Sequence, residues 1–301
     1  MAELIDIHQE FDQGNVYTLD VAKELAQALP NNYRVVVKYD QQDWPKFYDD
    51  KLNIQISTSR EIHINPCDLF VSDVHMIFQN YPWLDKFQRL YPTNNLVYPM
   101  PIGTFADFSN MPDPKPLPER NYDFIFVGQI PKTGTRDCFK RNLDNLMLNS
   151  GMKFKYKVMY TDGFNKGLDH EAYIHLINDS KIVLCPHGAN SPETFRFFET
   201  IKMGAIPLVD NLPPLWYYLN APFARTPWSI LDKTLSITLN SINSKQCSEI
   251  SNNVAIYNMT VLNPKWIGKY LAEVVCARDS IGIDKIKEQL KTTREELLKY
   301  A

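Results

Sequence analysis

Cysteine is scarce and scattered. The five residues Cys67, Cys138, Cys185, Cys247 and Cys276 form no C-x-x-C pair, which excludes both a disulfide framework and the usual zinc spacing. They are expected to behave as small buried hydrophobes, and Cys185 has no visible partner that would make it a nucleophile. Basic charge is not in excess either. The formal net charge is -3, so neither a nucleic-acid groove nor an anionic membrane surface is an expected partner. No stretch approaches the roughly 18 apolar residues of a membrane span, and the opening MAELIDIHQEFDQ lacks the basic and apolar halves of a leader. The reading at this level is a cytoplasmic protein with no integral membrane segment. The G-x-G-x-x-G turn of dinucleotide-binding folds is missing as well: the nearest glycine-bearing loop reads GQIPKTG, which disfavours an NAD-dependent enzyme. Internal repeats and low-complexity tracts are absent.

What the chain has is core material and punctuation. It contains 301 residues, 44% hydrophobic and 22% charged, enough for one large domain or two modest ones. Four prolines in MPDPKPLPERN, Pro112, Pro114, Pro116 and Pro118, bar both helix and sheet interior and suggest an interlobe linker over residues 111–120. The expected division is an N-terminal lobe at 1–110, a C-terminal lobe at 121–264, and closing helices at 265–301, with a crossing back to the first lobe left open.

The first lobe reads as alternating strand and helix: strand over Leu4–His8, helix over Val16–Leu29, and strands at YRVVVKY (Tyr33–Tyr39) and DLFVS (Asp68–Ser72). A helix from Val74 toward Leu90 is expected, interrupted by Pro82. The second lobe opens on YDFIFV (Tyr122–Val127), a continuous apolar run of the kind buried on both faces of a parallel sheet. A helix over Arg136–Leu148, a strand over Phe154–Tyr160, a helix over His170–Asn178 and a strand over Lys181–Cys185 follow. The next helix is expected to start at Ser191-Pro192-Glu193 and end at Gly204, before the strand AIPLV (Ala205–Val209). Trp266–Cys276 and Lys285–Tyr300 read as the closing helices. A run of βαβ units packs as a doubly wound α/β sheet, with ligands beyond the carboxyl ends of the strands.

Two loops at such ends carry suitable side chains. GQIPKTGTR offers Gly128 and Gly134 for tight turns and Lys132, Thr133 and Arg136 as donors, which suits a diphosphate. PHGANSPETFRFFE places His187, Gly188, Ser191 and Thr194 before or at a helix start, whose free N–H groups favour an anion. Arg196 and Glu199, three apart, share a helical face; the arginine could pair with phosphate and the carboxylate could accept from ribose hydroxyls. Tyr160, Thr161 and Asp162 end a strand on the same side and could border a nucleotide base or form a turn. Trp216, Tyr217 and Tyr218 could face an acceptor sugar or pack between lobes.

The stretch SKIVLCPHGANSPETFRFFETIKMGAIPLVDN resembles the signature block of the exostosin family of glycosyltransferases, through Ser180, Cys185, Pro186, Gly188, Arg196, Glu199, Gly204, Ile206 and Pro207. Phe126, Gly128 and Arg136 are similar to an upstream motif of that family. The spacing from Arg196 to Pro207 also resembles that of fucosyltransferases, which carry lysine and asparagine in place of Arg196 and Glu199. The resemblance implies a GT-B fold, in which two Rossmann-like lobes have parallel sheets facing a central cleft. It implies inverting transfer of a sugar from a UDP- or GDP-sugar to a glycan hydroxyl, hexosyl or pentosyl, with the second lobe holding the donor. The general base should come from the first lobe, where His8, Asp12, Asp73 and His75 lie near strand ends and Asp73 and His8 rank first. The chain has no Asp-x-Asp, the pair that holds a cation on the diphosphate in metal-dependent relatives of the other common fold, so no metal cofactor is expected. A nucleotide-sugar epimerase or hydrolase and a non-catalytic sugar-binding protein are the competing readings.

Overall fold

The structure is a computed structural model that describes residues 1–6, 16–39, 46–58, 74–80, 97–105, 108, 110–130, 136–149, 153–163, 166–188, 193–210, 212 and 215–279. It divides into two compact units, one formed by Met1–Ile102 with Asn263–Ala301 and the other by Gly103–Leu262.

The first unit carries a five-stranded sheet in the order β1-β2-β3-β4-β5, built from Glu3–Asp6, Tyr33–Tyr39, Leu52–Thr58, Val74–Gln79 and Val97–Pro99. Every pairing is parallel. Helix α1 (Val16–Ala28) buries Val21, Ala22, Leu25 and Ala26, the i, i+3/i+4 stripe that turns an amphipathic helix toward its core. The expected helix from Val74 is instead strand β4, all six of whose residues are buried. VHMIFQ is a short apolar run that periodicity alone leaves ambiguous, and coverage on both faces makes it a central strand. The segments 68–72 and 285–300, read as a strand and a helix, lie outside the described residues. Near the amino edge of the sheet, Arg34 of β2, 4% exposed, donates to Glu3 at 3.0 Å, to both oxygens of Asp49 at 3.0 and 2.5 Å and to Asn53 at 3.2 Å. These bonds satisfy a guanidinium that would be costly to bury alone.

The second unit contains a parallel sheet in the order β10-β9-β8-β6-β7. Its strands are β6 (Tyr122–Gln129), β7 (Tyr156–Thr161), β8 (Ser180–Leu184), β9 (Ile206–Val209) and β10 (Ala224–Arg225). Helices α2 (Asp137–Asn149), α3 (His170–Asn178), α4 (Phe195–Lys202), α5 (Leu231–Ile242) and α6 (Cys247–Met259) complete it. Phe124, Phe126, Phe139, Leu143, Leu184, Leu208 and Trp228 form the centre of one apolar cluster. The sheet is what a run of βαβ units dictates, and each unit is an α/β lobe with an all-parallel sheet.

Residues 111–120, read as a linker, belong to the second unit. Arg120 explains why: its buried guanidinium donates to the carbonyls of Lys115 (2.9 and 2.6 Å), Ser180 (2.9 Å), Met203 (2.7 Å) and Ile177 (3.4 Å). A single side chain thereby closes the ends of α3 and α4 onto the proline-rich strap, answering carbonyls that helix termini leave open. The exit of α4 depends on Gly204, at φ +72°. The bonds Ala205 N–H to Thr200 O (3.0 Å) and Gly204 N–H to Ile201 O (2.9 Å) form a Schellman ending, which favours glycine. The start of α4 falls later than expected, at Phe195 with Thr194 as N-cap. Glu193 does not sit in the first turn, because its buried carboxylate accepts from the hydroxyls of Tyr217 (2.7 Å) and Tyr218 (3.0 Å). Those two tyrosines are accordingly 1% and 4% exposed and pack within the second unit instead of facing an acceptor. Helix α7 (Pro264–Asp279) belongs to the first unit, where it packs on α1.

Candidate functional site

Topology marks the place. In the second unit the chain passes from β6 to β7 on one flank and then to β8 on the other. The carboxyl ends of the adjacent strands β6 and β8 therefore border a switch point, where open parallel sheets leave a crevice for ligands. Gly128 lies near the end of β6, and Cys185, Pro186, His187 and Gly188 follow β8.

Arg196, the second residue of α4, reaches across to β6. Its Nη2 donates to Val127 O at 2.8 Å, and the guanidinium carbon lies 5.0 Å from the Phe126 ring centroid. Its Nε and Nη1 are buried and reach no carboxylate or carbonyl among the described residues, while the Tyr173 hydroxyl shares a hydrogen bond with the guanidinium. A guanidinium held on one carbonyl, with its other donors enclosed and no acceptor charge on them, can take an anion once the groups covering those nitrogens part. Gly128 makes the reach possible, since a Cβ there would collide with Arg196 Nη2. The glycine expected to turn tightly around a phosphate thus makes room for the arginine.

His187 brings its Nε2 to 3.2 Å from Oδ1 of Asp210, the residue that follows β9, and each side chain is about a quarter exposed. Arg136 bridges the two loops, donating from Nε to His187 O at 2.5 Å and from Nη1 to Gln129 O at 2.6 Å. It sits where expected, with those donors committed to backbone. Thr194 caps α4 in an extended conformation without a side-chain bond to the helix. Gly188 is buried beside this group.

Glu199 is enclosed at 5% exposure. Burial pushes its carboxyl up to about 7, against the lowering effects of Arg196 and of a hydrogen bond from the Phe105 N–H. The ribose contact expected of Glu199 would require its surroundings to part. A carboxyl raised from 4.5 to about 7 binds its proton more tightly folded than unfolded. Its stabilising contribution is complete below about pH 4.5 and is lost as pH rises toward and beyond 7. Guanidinium unfolding of the full chain is therefore expected to show wild type losing about 2–3 kcal/mol more than Glu199→Gln between pH 5 and pH 8. Parallel pH curves for the two would place the carboxyl in solvent.

Tyr160 is tied elsewhere: its hydroxyl donates to Asp144 Oδ1 at 2.6 Å, and burial raises it above the usual phenol range. Cys185 is buried, with its thiol pushed up to about 12 by burial, so it is inert packing. His8, Asp12, Asp73, Lys132, Thr133 and Ser191 lie outside the described residues. His75 is the second residue of β4, at the amino end of the strand and not at its carboxyl edge. Its Nε2 is 2.6 Å from Asp279, and burial followed by Arg278 holds it down to about 4. Asp210, Phe105 and the Val127 carbonyl were not foreseen; Asp210 was open to discovery, because it directly follows the AIPLV strand.

Residues 107–233 match the family model of the RXYLT1 C-terminal domain, a xylosyltransferase family. The match contains Gly128, Arg136, His187, Arg196, Glu199 and Asp210. It supports a glycosyltransferase family without singling out the exostosins. No curated protein matches the chain. Among solved structures, the chain is similar to an alpha-glucosyltransferase in complex with UDP, at 8% identity, 91% coverage of this chain and 99% of that one, and a TM-score of 0.48. It is similar to accessory secretory protein 1,2 and 3 of Streptococcus pneumoniae at 11% identity and a TM-score of 0.47, covering 86% of this chain and 54% of that one, about half its length. The third is sucrose-phosphate synthase from Thermosynechococcus elongatus, at 10% identity, 89% and 74% coverage and a TM-score of 0.42. Among the described residues, no helix is long and apolar enough to cross a membrane, and no three His, Cys, Asp or Glu side chains converge to hold a metal.

Proposed function

We propose that the second unit grips the diphosphate of a UDP- or GDP-sugar at the carboxyl ends of β6 and β8, and that the protein transfers the sugar to a glycan hydroxyl with inversion. The observation that carries this reading is Arg196, anchored on Val127 O at the topological switch point, with Nε and Nη1 that no carboxylate or carbonyl among the described residues takes up. In such a reaction the acceptor oxygen attacks the anomeric carbon as the bond to the diphosphate breaks, and the departing oxygen keeps the electron pair. Preorganised donors aimed at that oxygen stabilise the charge it gains; Arg196 fills this role. Arg136 fixes the loops after β6 and β8, and Glu199 keeps Arg196 and Phe105 in place from behind. For the base that takes the acceptor proton, His8 and Asp73 are the first choices. The GT-B arrangement, inversion and the exostosin likeness rest on the motif from Ser180 to Pro207. Metal independence rests on the lack of an Asp-x-Asp.

The xylosyltransferase family model puts xylose first among sugars to try. The test pairs melting temperature with release of nucleoside diphosphate, over UDP, GDP and CMP and their sugars, with and without glycan acceptors. UDP- or GDP-sugars should raise the transition and, with acceptor, release diphosphate. Binding without release under any acceptor would favour the sugar-binding protein, and an altered donor sugar without transfer would favour the epimerase.

A further inference from the structure

The His187 ring is held in a way that binding of the sugar donor by Arg196 does not explain. Nε2 lies 3.2 Å from Asp210 Oδ1, with both atoms enclosed and neither in a hydrogen bond of good geometry, so the pair stands close enough to close on binding, and Nδ1 is the ring nitrogen turned away from the carboxylate. The backbone is held too, because Arg136 Nε donates to His187 O. Asp210 is fixed in turn by its position at the end of β9, and Arg225 of the neighbouring strand β10 donates to its carbonyl at 3.4 Å. Three strand ends therefore set one imidazole beside the switch point: β8 carries the ring, β9 carries the carboxylate, and β6 receives the arginine that holds the loop.

We propose that Asp210 is a positioning residue that presents His187 to the outer phosphate of the nucleotide, the one attached to the sugar. This rests on the donor-binding reading above and adds a division of labour to it. A carboxylate on one ring nitrogen and a phosphate oxygen on the other both accept hydrogen bonds, so the bound state has an N–H directed at each. Second-sphere carboxylates orient imidazoles toward ligands in this manner, and removing one costs about 10- to 100-fold at metal sites built on the same principle. A contact confined to the outer phosphate discriminates a diphosphate from a monophosphate and leaves the monophosphate untouched.

The experiment compares affinities for UDP against UMP and GDP against GMP by calorimetry, in wild type, His187→Ala, Asp210→Asn and the double variant, with circular dichroism to verify folding. Wild type should prefer the diphosphate. His187→Ala should cut that preference about tenfold without changing monophosphate affinity, Asp210→Asn should cut it by a similar or smaller factor, and the double variant should be no worse than His187→Ala because the two act as a unit. An unchanged preference in His187→Ala or Asp210→Asn, or additive losses in the double variant, would overturn the assignment. Wild type that binds no nucleotide would remove the donor-binding reading itself, and this inference with it.

Discussion

Replacing Arg196 with alanine is expected to weaken binding of UDP or GDP about 100-fold or more while the chain remains folded. Two charge-assisted hydrogen bonds at roughly 1.5–3 kcal/mol each support that magnitude. Arg196→Lys should recover little, because an ammonium cannot both hold Val127 O and present a planar pair of donors. Gly128→Ala should reach the same phenotype by another route, since its Cβ would occupy the space of Arg196 Nη2. Lys153→Ala, at an ion pair exposed on both sides, serves as the control and should bind as wild type does. Calorimetry reads all four, with circular dichroism to show that each variant is folded. Full affinity in Arg196→Ala would reduce the arginine to a brace for the Val127 carbonyl.

The second large effect concerns stability in the first unit. At Gly268 of α7, an added Cβ would lie 2.5 Å from Glu24 Cβ, 2.8 Å from Leu25 N and 2.9 Å from Glu24 C. Two of those three atoms are α1 backbone, so relief requires the helices to separate. In an isolated helix, glycine to alanine gains up to about 1 kcal/mol. Here overpacking of about 1–3 kcal/mol, with the packing lost as Leu25 and Leu271 draw apart, outweighs that gain. Gly268→Ala is therefore expected to lower the melting temperature by about 5 °C or more. An increase would mean that α1 and α7 do not approach this closely.

The second unit was legible because its signals are local and strong. FIFV, IVL and AIPLV are continuous apolar runs, and a parallel sheet is the packing solution for such strands separated by helices. Strand β4 was misread as a helix because VHMIFQ is too short for periodicity to decide, and the buried faces that decide it are a tertiary fact. The proline strap shows a similar limit: prolines forbid helix, but only the carbonyls waiting at the ends of α3 and α4 show that Arg120 ties the strap to the second unit. Within the site, sequence spacing brought Arg196, Glu199, His187 and Gly128 into one neighbourhood. It could not say that Glu199 is enclosed, that Gly128 serves an arginine, or that Asp210 meets His187, since each depends on depth and direction across strands far apart in the chain.

The central claim is that a nucleoside diphosphate lies at the carboxyl ends of β6 and β8. A crystal structure of the protein grown with UDP or GDP tests it most directly. The expected result has phosphate oxygens within hydrogen-bond distance of Arg196 Nε or Nη1. A nucleotide bound elsewhere, with no phosphate oxygen on those two nitrogens, would contradict it.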